Sequence, residues 1–162
     1  MKLAGRIPVA APPDAVWALM LDPLTLAACV PGVRDVRAVD ERTFTGSITA
    51  AVGPMNGEFS FTSVITRAAF PDALEVTMQG VDSVTKSRLE AVVTASVAES
   101  SPGATELAYA ADVAVKGRLA ILGEMVLRAT ATMMIGQVTR CLRARLEQGL
   151  PDPSGADPAP GG

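Results

Sequence analysis

The residues that could carry out acid–base or metal chemistry are few in this chain. It contains no histidine, so the commonest general base, the Ser-His-Asp arrangement and the usual metal ligand are all missing. The two cysteines, Cys29 and Cys141, lie far apart and form no CxxC pair. Because no histidine can complete a zinc site, we expect both to be buried free thiols in a reducing compartment.

The carboxylates and the single tyrosine give no clear catalytic group. Asp14, Asp22, Asp35 and Glu58 lie near turn signals, and no sequence-close pair of acids stands beside an apolar segment. The hydroxyl of Tyr109 could donate to a carbonyl group of a bound ligand, or equally to a backbone carbonyl. The sequence therefore predicts no metal site and no catalytic centre.

The composition points to a protein with surplus apolar surface. Hydrophobic residues make up 49% of the chain and charged residues 19%, and the mean hydropathy is +0.32. The surplus must face a core, a cavity, a partner or a membrane. A net charge of −3 and only 4% aromatic residues argue against nucleic-acid binding. No signal-peptide pattern or transmembrane run is present, so we expect a cytoplasmic protein.

The pattern along the chain predicts one strand, two short helices, a run of strands and a long helix. Alternation over residues 2–10 indicates the first strand. Pro12-Pro13-Asp14 and Asp22-Pro23 open the short helices, which end near residues 21 and 28. Further alternation and turn signals predict strands at residues 33–39, 43–52, 59–65, 74–79, 84–99 and 107–115. Apolar residues at three- and four-residue steps predict one helix over residues 118–148, capped by Gly149.

This order of elements predicts an α+β fold. A sheet with one apolar face needs a cover, and the long C-terminal helix is the only element large enough. We expect a curved antiparallel sheet wrapped around that helix, two short helices after the first strand, and a space between sheet and helix. The domain is predicted to span residues 1–149, with a disordered Pro/Gly-rich tail or linker over residues 150–162.

Four sequence segments, in order along the chain, carry a family resemblance. They are MKLAGRIPVAAPPDAVWALMLDP, LAACVPGV, AVGPMNGEFSF and VKGRLAILGEMVL. In these segments the chain resembles the family of the carbon monoxide dehydrogenase G subunit, within the START-like (SRPBCC, helix-grip) superfamily. The resemblance implies a helix-grip fold with a deep apolar cavity.

The resemblance also implies a ligand, a partner and a location. The ligand would be an isoprenoid quinone of the menaquinone type, bound without any covalent cofactor. The partner would be a molybdenum-containing CO dehydrogenase or a related hydroxylase, whose electrons the quinone accepts. The chain would act at the inner face of the cell membrane. Many relatives carry a hydrophobic C-terminal anchor, and we expect that it either was never part of this chain or has been removed from it.

The predicted ligand contacts come from the long helix and from the inner face of the sheet. On the helix they are Leu122, Met125, Val126, Ala129 and Met133. On the sheet they are Phe44, Phe59, Phe61, Met78, Leu89 and Tyr109. A portal is predicted at Trp17, Leu21, Leu24, Leu26, Val30 and Pro31. The alternative is that all these side chains fill an ordinary core.

Three functions remain open at this point. The first is a non-catalytic carrier of a quinone or lipid. The second is an adaptor that recruits or assembles the dehydrogenase without transporting a ligand, and the third is a cyclase-like enzyme. A cavity below roughly 300 Å³ favours the adaptor, and several convergent polar groups in a pocket favour the enzyme.

Overall fold

The computed structural model describes residues 1–148, which form one antiparallel sheet covered on its inner face by helices. The elements in chain order are β1 (Lys2–Val9), α1 (Pro13–Met20), α2 (Pro23–Ala28), β2 (Val33–Ala38), β3 (Thr43–Val52), β4 (Met55–Ala69), β5 (Ala73–Asp82), β6 (Ser87–Ser101), β7 (Ala104–Lys116), a 3-10 helix (Arg118–Leu122) and α3 (Glu124–Gln148). The predicted α+β architecture is confirmed. The Gly149 cap and the tail 150–162 lie outside the described residues.

The sheet has seven strands in the order β1-β7-β6-β5-β4-β3-β2. Strands β2 to β7 form consecutive hairpins, and β1 pairs with β7 at the far edge. In β6 the inward residues Ala91 and Val97 are buried, while the outward Val92 and Thr94 are exposed. Shifts of register between Arg34 and Arg37, Ile65 and Arg67, and Glu99 and Ser101 mark irregularities of the kind that bend strands.

The helix α3 is fixed on β1 near both of its ends. Near its start, Arg128 donates to the Lys2 carbonyl at 2.9 Å. At its end, Glu147 accepts a hydrogen bond from the Ala10 backbone N–H, also at 2.9 Å. Among residues 1–148, no helix has both the length and the apolar character needed to cross a membrane.

The prediction of one continuous helix over residues 118–148 is wrong. The chain forms a short 3-10 helix, breaks at Gly123 and only then starts α3. Gly123 has a φ of +91°, a conformation that glycine adopts readily and that no α-helix contains. The break therefore separates α3 from the 3-10 helix. The side of α3 that faces the sheet is not determined by the turn before Gly123.

The prediction of two free thiols is also wrong. Cys29 and Cys141 form a disulfide, with their Cα atoms 5.4 Å apart and 112 positions of separation in sequence. It ties the C-terminal end of α2 to the C-terminal half of α3. Because the spacing of two cysteines does not reveal their distance in the fold, the sequence offered no signal for this pairing.

Apolar packing is concentrated in two clusters. The larger joins α1, the end of α3 and five strands through Ile7, Val9, Ala11, Val16, Trp17, Ile65, Leu74, Val97, Leu107 and Leu146. The smaller has only three fully buried members, Val52, Phe59 and Leu119, with partly buried neighbours around them. Members of both clusters line the cavity described below.

We expect the double variant Cys29→Ser/Cys141→Ser to be less stable than the wild type by about 2–4 kcal/mol, because the disulfide closes a long loop in the unfolded chain. The measurement is urea unfolding without reductant. As a control, reductant should bring the wild type to the midpoint of the variant and leave the variant unchanged. Equal midpoints for oxidised wild type and variant would contradict the prediction.

Candidate ligand-binding cavity

A cavity of about 400 Å³ lies between the inner face of the sheet, α2 and α3. Its volume is within the usual range for small-molecule sites, which begins at roughly 300 Å³. The curved strands supply most of its wall, α2 contributes Leu26 and Ala27, and α3 contributes Leu127, Ala131 and Met134. The space predicted between sheet and helix is therefore present.

The cavity wall is almost entirely apolar. In the described part of the chain, Ser63 and Thr130 carry the only hydroxyl groups of this wall. Thr130 donates to the Val126 carbonyl at 3.1 Å, so its hydroxyl hydrogen is already used in that bond. None of the side-chain hydrogen bonds found within residues 1–148 involves the Ser63 hydroxyl. A guest in this cavity therefore meets hydrocarbon, aromatic rings, thioethers and one hydroxyl with a free donor.

Eight residues predicted for the ligand site or portal line the cavity: Phe44, Phe59, Phe61, Met78, Leu89, Leu21, Leu26 and Val30. The five from the sheet were identified by strand alternation, which places every second side chain on the inner face. Their contact with a ligand stays a prediction.

The predicted helix contacts do not lie where expected. Met125 is 85% exposed, and Ala129 and Met133 are also exposed. Leu122 and Val126 pack instead against the small apolar cluster. The cavity is lined on this side by Leu119, Leu127, Thr130, Ala131 and Met134. The error follows from the break at Gly123, because a helix that starts anew presents a different face from one continued from residue 118.

Tyr109 is not part of the cavity wall. It lies opposite Gly5 in the β1–β7 pairing and packs against the large apolar cluster. A Cβ atom added to Gly5 would lie 2.6 Å from the Tyr109 Oη, so the ring fills the space that glycine leaves on β1. Aromatic side chains that cover a cross-strand glycine are a known device for stabilising sheets.

Three of the predicted portal residues lie away from the cavity. Trp17 is buried in the large cluster and makes an edge-to-face contact with Phe70, with ring centroids 5.4 Å apart. Leu24 and Pro31 are exposed. The Asp22 side chain accepts a hydrogen bond from the Thr25 N–H and so fixes the start of α2. The rotation of α2 then directs Leu26 and Ala27 inward and Leu24 outward.

A buried polar network fixes the 3-10 helix against the sheet. Asp82, 1% exposed, accepts hydrogen bonds from the backbone N–H groups of Glu58 and Val84 at 3.0 and 2.8 Å. Next to it, the Ser87 hydroxyl accepts from the Leu119 N–H at 3.0 Å. Because Leu119 lines the cavity, this network positions part of its wall.

Burial favours the neutral form of Asp82, but the hydrogen bonds it accepts from Glu58, Val84 and Thr85 outweigh that effect. Together they hold the pKa of Asp82 below its ordinary value of 3.8. A lowered pKa in the folded state means that ionised Asp82 stabilises the fold above the unfolded-state pKa. That stabilisation is lost as the pH falls through the folded-state pKa.

A known protein family matches almost the whole of this fold. The model of the family described as the G subunit of carbon monoxide dehydrogenase (CoxG) matches residues 5–147. This chain belongs to that family. The match includes nearly all of the sheet, both short helices and most of α3, so the resemblance seen in the sequence is confirmed.

Solved structures of similar fold have low sequence identity to this member of the CoxG family. A conserved protein from Geobacillus kaustophilus has a TM-score of 0.85 at 17% identity, with 92% of this chain and 97% of that chain covered. A START superfamily protein from Mycobacterium smegmatis has a TM-score of 0.70 at 15% identity, covering 91% and 97%. The Zhui aromatase/cyclase from Streptomyces sp. R1128 has a TM-score of 0.72 at 12% identity, covering 96% and 99%. These likenesses show the fold, which is the predicted helix-grip fold. No curated protein sequence matches the chain.

We expect Asp82→Asn to lower the free energy of unfolding at pH 7 by about 1–3 kcal/mol, because a buried amide replaces a carboxylate that accepts several N–H groups. Urea unfolding at neutral and acidic pH measures it. The difference in the free energy of unfolding between the variant and the wild type should become smaller as the pH falls below about 3.9. In that range Asp82 of the unfolded wild type becomes protonated. A difference that stays constant down to pH 2 would show that the charge of Asp82 has no part in the effect.

Proposed function

We propose that this chain is a carrier that binds a hydrophobic small molecule in its cavity without transforming it. The supporting observation is the cavity of about 400 Å³ with an almost wholly apolar wall. Water is poorly held in such a space, because it needs two to four polar partners. While the space is unfilled, the apolar side chains that line it lose packing contacts on that side. A hydrophobic guest removes that loss.

The ligand class we propose is an isoprenoid quinone of the menaquinone type. Its flat ring and polyprenyl tail need apolar walls, and its carbonyl groups need a donor. Ser63 lies directly between Phe44 on β3 and Met78 on β5 in the strand register, and all three line the cavity. This arrangement supports a ring site at Ser63, with its hydroxyl donating to one quinone carbonyl.

The energetics suit a carrier that both collects and releases its cargo. Moving a methylene group from water into an apolar site is worth about 0.8 kcal/mol. A polyprenyl chain in a membrane is already out of water, so its transfer into this cavity is close to balanced. Exchange with a bilayer can therefore run in either direction.

We propose that the cargo moves between the membrane and a molybdenum-containing CO dehydrogenase, for which the quinone is the electron acceptor. The membership of the CoxG family supports this partner. The proposed place of action is the cytoplasmic face of the membrane. Disulfides are rare in the cytosol, because soluble thiols reduce them there. Survival of the Cys29–Cys141 disulfide in that compartment would depend on its burial. Cys29 is only 5% exposed, and a soluble thiol must reach a sulfur atom to attack it.

Two other functions have less support. An adaptor without transport would need no cavity of ligand size. A cyclase-like enzyme shares the fold, as the Zhui aromatase/cyclase illustrates, but such chemistry needs several convergent polar groups. Two hydroxyl groups on an otherwise apolar wall do not supply them.

The direct test is extraction of the native, purified protein into organic solvent followed by mass spectrometry. The expected result is an isoprenoid quinone in near-stoichiometric amount. A ligand-free protein that also fails to bind added menaquinone analogues would overturn the carrier proposal and leave the adaptor.

Filling part of the cavity should weaken ligand binding without disturbing the surface. Ala131→Phe places a ring in the cavity, and we expect at least about a tenfold weaker affinity for a short-tailed menaquinone analogue, or about 1.4 kcal/mol. Ala129→Phe is the matched control, because Ala129 lies two residues away on an exposed face of α3. Fluorescence titration measures both. Equal losses in the two variants would contradict a cavity site.

Ser63→Ala tests the proposed hydrogen bond to the ring. Loss of one neutral hydrogen bond should weaken quinone binding about fivefold, or about 1 kcal/mol. Binding of a polyprenyl hydrocarbon without carbonyl groups should not change. Ser60→Ala, on the outward face of the same strand, is the control. If both ligands weaken equally, Ser63 only shapes the cavity.

A further inference from the structure

The antiparallel hairpins bring three chain segments together at one end of the molecule. The β3–β4 turn, the β5–β6 turn and the 3-10 helix that follows β7 all lie there. Contacts fix this arrangement. The Leu119 N–H donates to the Ser87 hydroxyl, and a Cβ atom on Gly53 would lie 3.0 Å from the Val126 side chain. The β2–β3 and β4–β5 turns lie at the opposite end.

Three large apolar side chains project from this end. Val84 in the β5–β6 turn is 79% exposed, Ile121 in the 3-10 helix is 82% exposed, and Met125 in the first turn of α3 is 85% exposed. Single exposed hydrophobic residues are common on protein surfaces. Here the three most exposed large hydrophobic residues of the described chain are gathered on adjoining segments at one end, which is the pattern of an interaction site.

Four exposed cations lie on the same segments or directly next to them in the chain. They are Lys86, Arg88, Lys116 and Arg118. Arg88 and Lys116 lie directly opposite each other on neighbouring strands, an arrangement of like charges that destabilises a sheet. In the part of the chain that the structure describes, none of the four forms an ion pair.

The nearest carboxylates offset this group only in part, because ionised Asp82 opposes one of the four positive charges. Asp82 is buried beneath the β5–β6 turn, and Glu124 is paired with Arg128 at 3.0 Å. Glu90 is the next outward residue after Arg88 on β6 and lies farther from the tip. The end is therefore locally cationic in a chain whose net charge is −3.

We propose that this end, with Val84, Ile121 and Met125 at its tip and Lys86, Arg88, Lys116 and Arg118 around it, docks onto an anionic lipid membrane. Apolar side chains on turns can enter the boundary between headgroups and acyl chains without a matching surface, while the surrounding cations contact anionic headgroups. A protein partner would need a surface whose shape matches three separate apolar side chains. A bilayer needs no matching surface, because its acyl chains adapt to the side chains that enter it.

Docking in this orientation would place the cavity close to the lipid. Leu119, which lines the cavity, belongs to the same short helix as the exposed Ile121. The β3–β4 turn begins after Val52, another lining residue. The purpose of the docking rests on the proposed carrier function, but the surface itself is independent of the identity of the ligand.

The test is co-sedimentation of the full chain, without added quinone, with vesicles of phosphatidylcholine alone or mixed with phosphatidylglycerol. The wild type should bind the mixed vesicles more strongly, and added salt should weaken that binding. Replacing Ile121 and Met125 by serine should lower the partition coefficient at least about tenfold, since both apolar side chains are lost. Arg118→Glu should abolish the preference for phosphatidylglycerol.

Matched controls come from the opposite end. Val39→Ser removes a side chain that is 64% exposed in the β2–β3 turn, and Arg145→Glu reverses an exposed charge near the end of α3. Both should bind vesicles like the wild type. The substituted residues are exposed, so unchanged urea midpoints will confirm that every variant folds.

Three results would overturn the docking proposal. The first is equal binding of the wild type to both kinds of vesicle. The second is a partition coefficient of the Ile121 and Met125 variant equal to that of the wild type. The third is a loss of vesicle binding in the two control variants as large as in the Ile121 and Met125 variant. Sedimentation equilibrium tests for a dimer. If the wild type dimerises and the Ile121 and Met125 variant does not, the surface binds a second copy of the chain instead of a membrane.

The carrier and docking proposals can fail separately. A protein that binds vesicles but no quinone would overturn the carrier function alone. A protein that binds quinone but no vesicles would overturn only the docking surface.

Discussion

A seven-stranded sheet offers more apolar surface on its inner face than one long helix and two short ones can cover, and the molecule is organised around that mismatch. At one end, Trp17 and Leu146 bring α1 and α3 down onto the sheet and the core is filled. Toward the other end, the apolar cluster found among residues 1–148 has three buried members, Val52, Phe59 and Leu119. Along the cavity, α3 presents two small side chains, Thr130 and Ala131, between the larger Leu127 and Met134. The part of the inner face that the helices leave uncovered forms the sheet side of the cavity.

The position of α3 depends on how the chain leaves the last strand. Gly117 and Gly123 both have positive φ, which allows two sharp changes of direction within seven residues. A Cβ on Gly117 would lie 2.0 Å from the Lys86 carbonyl oxygen, so the chain can pass this close to the β5–β6 turn only with glycine. The Ser87 hydroxyl then holds the short helix in place by accepting from the Leu119 N–H. The same segment directs Leu119 into the cavity and Ile121 into solvent, which links the interior site to the surface at that end.

The remaining wall of the cavity is formed by α2, which is held at its ends rather than by a large buried area. None of its residues is fully buried. Asp22 caps its start, and the disulfide at Cys29 fixes its end to α3. An element attached in this way can open locally at lower cost than the strands, because few apolar contacts are broken.

The sequence by itself determined the order of the elements, the strands that alternate and the apolar face of the sheet. These features depend on local periodicity and on Pro and Gly signals, so alternation alone assigned Phe44, Phe61 and Met78 to the inner face. The family segments added the helix-grip architecture. Ser63 was visible as a polar residue on an apolar strand face, but its free hydroxyl was not.

Only the tertiary structure decided which helical residues face the cavity, where Tyr109 packs and which cysteines meet. The face of α3 depends on the conformation of Gly123. The apolar periodicity continues through that position, and a glycine within a helical pattern does not by itself show that the helix ends there. Tyr109 turns toward Gly5 because a strand distant in sequence leaves room there. The Cys29–Cys141 pair joins residues 112 positions apart. In each case the deciding contact is long-range, and local periodicity carries no information about it.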